Sequence, residues 1–204
     1  MTIDYLEKIV MEPQVFELDL FESEEDKKYL FDMCKDLDWK AHTIKIQGKE
    51  IPVPRLIAWY GEVNYKYSGI THYAQPMPEV IEHVKKVLET LCTQKLKRKI
   101  KFNSVLLNYY RNGSDSISFH SDDERELDEE AVIASVSLGA TRKFIFKNKE
   151  DAKLKKEYAL TNGHCLVMFG DTQKHWLHGI PKEPNIQEER INLTFRFTHP
   201  KYIR

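Results

Sequence analysis

From Asn103 onward the chain runs through short apolar-rich stretches, "SVLLNYY", "SISFH", "VIASVSLG", "RKFIFKN", "EYAL", "HCLVMFG" and "RINLTFRF", mostly separated by Gly, Asn, Asp or charged residues. No helical stripe intervenes between them, so they predict consecutive strands of a sandwich or jelly roll rather than a parallel sheet. The first half is mixed. Ser23 with Asp26 three residues later forms a capping-box pattern, and Tyr29, Leu30, Met33, Cys34 and Leu37 then recur at helical spacing, which predicts a helix with one buried face. From Thr43 to Val53, "TIKIQGKEIPV" alternates around a Gln-Gly-Lys tip and predicts a hairpin. After Pro76 and Pro78, the stripe Val80, Ile81, Val84, Val87, Leu88 and Leu91 predicts a second helix. The expected architecture is α+β: a double-stranded β-helix, or jelly roll, at 101–204, with N-terminal helices packed on one sheet and hairpins within 1–100. Residues 1 to about 40 are expected to be a helical cover.

Composition changes this picture little. With 204 residues and 41% apolar content the chain suits one domain with a good core. A net charge of -1 gives no global sign of a nucleic-acid partner and leaves local patches open. One such patch is "QKLKRKIKF", Gln94 to Phe102, which reads either as a solvated helix end whose cations favour the negative dipole or as a phosphate-facing surface. Cys34, Cys92 and Cys165 are odd in number, widely spaced and without C-x-x-C, which disfavours a disulfide framework and a zinc ribbon. No apolar run approaches the roughly 18 residues of a membrane span. A soluble, intracellular, monomeric protein without membrane contact is expected.

The chemistry concentrates in two places. In "ISFHSDDERE" Ile117 and Phe119 point to one face of a strand and Ser118 and His120 to the other, joined by Asp122 if the strand runs on that far. This is either a metal or acid-base site or a polar strand end with an incidental histidine. Far downstream, "QKHWLHGIP" offers His175 and His178. Two histidines and one carboxylate on a rigid β scaffold are the ligands of the facial triad that holds Fe(II) and leaves positions open. Spacing does not choose between His175 and His178, which face opposite sides of a regular strand. In "RINLTFRF" Arg190, Asn192, Thr194 and Arg196 share one face. Arginines turned inward are costly without anions, and two of them suit a small dicarboxylate, with Asn108 and Tyr110 as further hydrogen-bonding groups. The same face could instead be the wet outside of an antiparallel sheet.

The ordered set of N-x-Y at Asn108 and Tyr110, H-x-D at His120 and Asp122, "HGIP" at His178 and "RINLTFR" ending at Arg196 resembles the AlkB family of Fe(II)- and 2-oxoglutarate-dependent dioxygenases, over about Pro54 to Phe197. The likeness looks closest to that family's duplex-DNA-repair branch. It implies His120, Asp122 and His178 as iron ligands, with 2-oxoglutarate as co-substrate and O2 as oxidant. It also implies that Arg190 pairs with the distal carboxylate of 2-oxoglutarate, that Arg196 lies near the C1 carboxylate and orients Asp122, and that Asn108 and Tyr110 complete the pocket.

For the substrate, the resemblance implies alkylated DNA, with 1-methyladenine and 3-methylcytosine demethylated oxidatively to release formaldehyde, succinate and carbon dioxide. Asp123 would accept from the exocyclic amino group of a flipped base, assisted by Glu124, while Arg125 and Glu126 are read as solvated. Tyr67 and the ring of His120 would stack on the base and Tyr65 would hydrogen-bond it. Gln47 stands where that branch carries an intercalating aromatic residue, so either Gln47 or Ile46 fills the gap, or single strands are preferred. Arg55 matches a DNA-contacting arginine. The alternatives are an RNA or protein substrate at the same iron site, a silent jelly-roll binding module, and, more distantly, a zinc hydrolase, which leaves both arginines without a purpose. Nuclear placement follows only if the source is eukaryotic.

Overall fold

The alternation in "RINLTFR" sends Ile191, Leu193 and Phe195 to one side of a strand and Arg190, Asn192, Thr194 and Arg196 to the other, and every one of these side chains is buried. Both faces of that strand must therefore be covered, which requires a layer on each side. The computed structural model describes residues 12–199 apart from 47, 68–69, 124–126 and 128–130. In chain order its elements are β1 (Val15–Asp19), α1 (Glu24–Lys35), β2 (Lys40–Ile46), β3 (Lys49–Gly61), β4 (Tyr65–Tyr67), β5 (Ile70–His72), α2 (Glu79–Leu96), β6 (Ser104–Tyr110), β7 (Ile117–His120), β8 (Ile133–Gly139), β9 (Arg142–Asn148), β10 (Lys155–Leu160), β11 (His164–Met168), α3 (Thr172–His175), β12 (Trp176–Ile180) and β13 (Arg190–Arg196).

A seven-stranded sheet in the order β1-β11-β8-β13-β6-β3-β2 faces a four-stranded sheet in the order β10-β9-β12-β7, and β4 and β5 form a separate small hairpin. The registered pairs are antiparallel. This is a jelly roll. Between the sheets, Tyr110, Ile133, Leu166 and Met168 meet Phe144, Phe146, Leu160, Trp176 and Ile180. On the far side of the large sheet, Leu30 and Cys34 of α1 and Ile81, Val84, Leu88 and Cys92 of α2 pack with Val105, Leu107, Val136, Leu138, Leu193 and Phe195. At roughly 1.5–3 kcal/mol per buried large apolar side chain, this layer is a main source of stability, offset by chain entropy.

The predicted helices form. Ser23 caps α1 by accepting from the Asp26 N–H at 3.1 Å. Its stripe is narrower than expected, because Tyr29 and Met33 are 60% and 43% exposed while Leu30 and Cys34 alone of that set reach the sheet closely enough to be buried. The hairpin predicted at 43–53 is β2 with β3, with a register shift between Ala41 and Thr43; its tip residue Gln47 lies outside the described residues. Residues before 100 contribute to the large sheet as well, since β1, β2 and β3 all join it. β1 lies within the stretch expected to be purely helical cover, where Phe16 and Leu18 pack into the helix-side core while the backbone pairs with β11.

The connection after β6 is drawn tightly against the segment before β13. Gly113 donates to Ile186 O at 2.7 Å and accepts from the Glu183 N–H at 2.8 Å, and a Cβ at 113 would come within 1.8 Å of Glu183 O. Backbone on both sides leaves no flexible atom to yield. Gly113→Ala should therefore cost about 2 kcal/mol, lowering Tm by roughly 4–8 °C in a thermal melt, whereas Gly48→Ala, which would meet no atom within 4 Å but has φ +78°, should cost only the strain of its left-handed backbone.

Candidate metal centre

The edge strand β7 of the small sheet, the loop that follows it and the neighbouring strand β12 bring three ligating side chains together. His120, the last residue of β7, pairs directly with His178 of β12, and their rings lie 4.4 Å apart with both side chains directed between the sheets. Asp122 lies beyond the strand end, so the strand pleat does not place it. Instead its backbone N–H donates to Gln173 Oε1 at 2.9 Å and its Oδ2 accepts from Arg196 Nη2 at 2.8 Å. Among the described residues, His120, Asp122 and His178 form a group whose potential ligand atoms all lie within 4.8 Å of one another. Nε2 of His120 is 3.7 Å from Asp122 Oδ1, and Nε2 of His178 is 4.0 Å from Oδ2.

The protonation states suit a cation. Nδ1 of His120 donates to Ser118 O at 2.9 Å, which leaves Nε2 as the ring nitrogen facing Asp122. Burial opposes the charge on Asp122, but the field and hydrogen bond of Arg196 outweigh it and hold the carboxyl well below the usual range. Burial, followed by the neighbouring His120, pushes His178 down to about 3, so it is neutral at ordinary pH. Asp122 Oδ1 is buried without a hydrogen-bond partner. An ionised, unsatisfied oxygen buried beside two imidazoles is costly alone and fits a bound divalent cation.

Above this cluster the polar face of β13 lines the cavity between the sheets, together with Asn108 and Tyr110 of β6. Asn192 Nδ2 donates to Ser135 Oγ at 2.8 Å, and Thr194 Oγ1 to Asn192 Oδ1 at 2.9 Å. Arg190, 1% exposed, donates from Nη2 to Ser137 Oγ at 2.9 Å and lies 5.0 Å from the Tyr110 ring centroid, while its Nε and Nη1 are buried without hydrogen-bond partners. Burial lowers its pKa from the usual guanidinium value, the direction that an anion in the cavity would reverse. Arg142, which no sequence pattern singled out, lies 5.7 Å from the Tyr110 ring centroid and gathers the carbonyls of Asn112, Asp115 and Pro181 at 3.2, 2.9 and 2.6 Å.

The remaining candidates are more scattered. Arg55, expected on a DNA-facing surface, is 4% exposed and donates from Nε to Asn108 Oδ1 at 2.6 Å, because the inward pleat of β3 turns it toward the cavity wall. Asp123 is exposed beside the cluster, accepting from Ser121 Oγ at 2.8 Å and pairing with Lys149 Nζ at 3.4 Å. Tyr65 and Tyr67 lie on β4, paired with His72 and Ile70. Gln47 and Glu124 lie outside the described residues. His175 sits in α3 and is not part of the ligating group. The lysine-rich segment ends α2 on the helical layer, where Lys101 pairs with Glu89 at 2.8 Å, so it does not line the cavity. Gln173 went unread as well, since a glutamine before an H-x-x-H pattern carries no periodic signal.

The family model for the 2OG-Fe(II) oxygenase superfamily matches residues 14–196. The chain is 41% identical over 177 residues to alpha-ketoglutarate-dependent dioxygenase alkB homolog 3 of Mus musculus, covering 82% of this chain and 60% of that protein. It is 37% identical over 163 residues to DNA oxidative demethylase ALKBH2 of Homo sapiens, covering 75% of this chain and 60% of that protein. The chain thus spans about 60% of the length of these curated relatives. The identity is higher to the first of these than to the second. The fold is shared with the solved structure of OsALKBH1, at a TM-score of 0.66 and 18% identity over 91% of this chain and 98% of that one. It is shared also with an oxidoreductase of the 2OG-Fe(II) oxygenase family from Burkholderia pseudomallei, at a TM-score of 0.62 and 11% identity over 95% of this chain and 88% of that one.

Binding of a divalent ion to the folded state alone should raise stability by about 2.7 kcal/mol at a hundredfold excess over Kd. Mn(II) should therefore raise the urea midpoint of the wild-type chain. His178→Ala should abolish that gain and His175→Ala should keep it; the opposite pattern would move the third ligand to His175.

Proposed function

The chain belongs to the AlkB family within the 2OG-Fe(II) oxygenase superfamily, and from that premise we propose that it oxidatively demethylates N-alkylated nucleic-acid bases, with 1-methyladenine and 3-methylcytosine in DNA as substrates. One observation carries this reading. A cluster of two histidines and an ionised aspartate opens into the same cavity as Arg190, whose buried Nε and Nη1 lack partners. A metal alone uses the cluster; an anionic co-substrate beside it uses the arginine too. A zinc hydrolase or a silent binding module leaves that guanidinium without a function.

In this reading His120, Asp122 and His178 hold Fe(II), and Arg190 takes the distal carboxylate of 2-oxoglutarate through the nitrogens left over from Ser137. Tyr110, flanked by the guanidiniums of Arg142 and Arg190, and Asn108, held by Arg55, shape the rest of that pocket. Arg196 fixes the Asp122 carboxylate. When bound, Fe(II), 2-oxoglutarate and dioxygen supply the oxidising chemistry, with the co-substrate leaving as succinate and carbon dioxide. The N-methyl group becomes a hydroxymethyl, which leaves as formaldehyde.

The protein's own part is to receive and orient the base. Taking it out of a duplex costs a few kcal/mol of stacking, and in this reading Tyr67 and His120 stack on the base in return. Asp123 accepts from the exocyclic amino group, and its charge suits the cationic methylated base. Lys149, which pairs with Asp123, yields the carboxylate when that base enters. Tyr65, Glu124 and Gln47 or Ile46 take the recognition roles their positions imply. All three metal ligands come from one chain, consistent with a monomer. With a net charge of -1, nucleic-acid affinity is modest and falls with salt.

Mass spectrometry of a DNA strand carrying one 1-methyladenine, incubated with protein, Fe(II), 2-oxoglutarate and ascorbate, should show loss of one methylene unit. Methylated RNA and methylated peptide at the same salt concentration serve as the competing substrates, and faster turnover of either would replace DNA in this reading. Asp123→Ala should lower demethylation more than it lowers uncoupled succinate production; equal losses would remove Asp123 from base recognition. Arg190→Met should raise the KM for 2-oxoglutarate at least about 30-fold, as expected for losing one partner of a buried charged pair.

A further inference from the structure

We infer that Gln173 is a positioning residue of the metal centre: its side-chain amide ties the loop that carries Asp122 to the segment that carries His178. The inference concerns how the ligand set is held and rests on the metal-binding part of the proposed function, not on the choice of substrate.

The three ligands arrive on unequal supports. His120 and His178 sit in strands and are fixed by the β7–β12 ladder. Asp122 has left β7, so its backbone N–H has lost the sheet as a partner, and the residue is 3% exposed, out of reach of bulk water. The group that takes this N–H is Gln173 Oε1, at 2.9 Å and 51 residues away in sequence. Gln173 precedes His178 by five residues, in the short turn α3 that leads directly into β12. One side-chain hydrogen bond therefore joins the two ligand-bearing segments where no strand ladder does.

Gln173 is itself held from several sides. It is 5% exposed, its Nε2 lies 3.4 Å from Met168 Sδ, and its carbonyl accepts from Lys149 Nζ at 2.8 Å. The Lys149 N–H donates to His175 O at 2.8 Å. At the start of the same turn, Thr172 Oγ1 accepts from the Gln14 N–H at 2.8 Å and donates to Gln14 O at 2.9 Å. A residue fixed at its backbone and buried at its side chain is a stiff bracket, and stiffness is what a ligand-orienting partner needs. The residue type fits as well. A neutral amide supplies the acceptor without adding a second buried negative charge beside the Asp122 carboxylate.

The test is the affinity of the intact chain for Mn(II) alone, read from the electron paramagnetic resonance signal of free Mn(II) during titration. Gln173→Met, similar in length but without the acceptor, should weaken binding by roughly 10- to 100-fold. Gln173→Glu, which keeps an acceptor at the same reach, should bind at least as tightly as one-third of wild type. Near-UV circular dichroism without metal reports whether each variant folds; if the Met variant does not, Gln173→Asn, one methylene short of Asp122, takes its place with the same expected loss. Mn(II) affinity within threefold of wild type in the acceptor-less variant, or equal losses in the Met and Glu variants, would overturn the role of Gln173. Absence of Mn(II) binding by the wild type would instead overturn the metal centre itself.

Discussion

Everything at the centre of this molecule depends on the buried pair of Arg196 and Asp122, 2.8 Å apart and each less than 5% exposed. Taking either charge out of water alone is prohibitive, and breaking such a pair typically costs roughly 3–5 kcal/mol. The pair therefore has to be built as a unit. It draws a loop residue beyond the end of β7 onto the inner face of β13, in the opposite sheet. In doing so it fixes the separation of the two sheets at the point where the histidines converge. The same guanidinium keeps Asp122 ionised despite its burial, so one interaction supplies both the position and the charge of a metal ligand.

The jelly roll makes this affordable by separating its two kinds of burial. Strand β13 sends its apolar side chains to the helix-covered face and its polar ones into the cavity, so the sheet's stability comes from the face opposite the chemistry. The cavity face then tolerates a guanidinium with spare donors, a hydroxyl ladder and an unsatisfied carboxylate oxygen. These would be liabilities in an ordinary core.

Much of this was legible along the chain, because strong periodicity and strong chemistry coincide. The stripe over Val80 to Leu91 and the alternation of β13 each specify an element and its faces, and inward-facing arginines are rare enough to mean something. His120 was readable for the same reason, whereas only the family resemblance separated His178 from His175. The pleat argument for Asp122 succeeded in naming the residue but not the cause of its position, since the strand ends at His120 and hydrogen bonds from afar do the placing. Arg55 was named through its match to a DNA-contacting arginine, and its burial was not readable, because only the place of β3 inside the sheet turns it inward onto Asn108. Gln173 and Arg142 were invisible, as single polar residues whose partners lie dozens of positions away. The strand β1 was missed because its five residues look like the leader to a helix.

That small strand has a consequence of its own. β1 closes one edge of the seven-stranded sheet, and the strand it covers, β11, reads "HCLVM", short, apolar and without charge or proline beyond its histidine. Such an edge, once bare, is a template for another chain. A fragment beginning after Asp19 would retain every ligand of the metal centre, yet it would present that template to its neighbours. It would also lose Gln14, whose hydrogen bonds to Thr172 and Asp171 brace α3, so its failure would show as oligomers in solution together with a loosened metal centre.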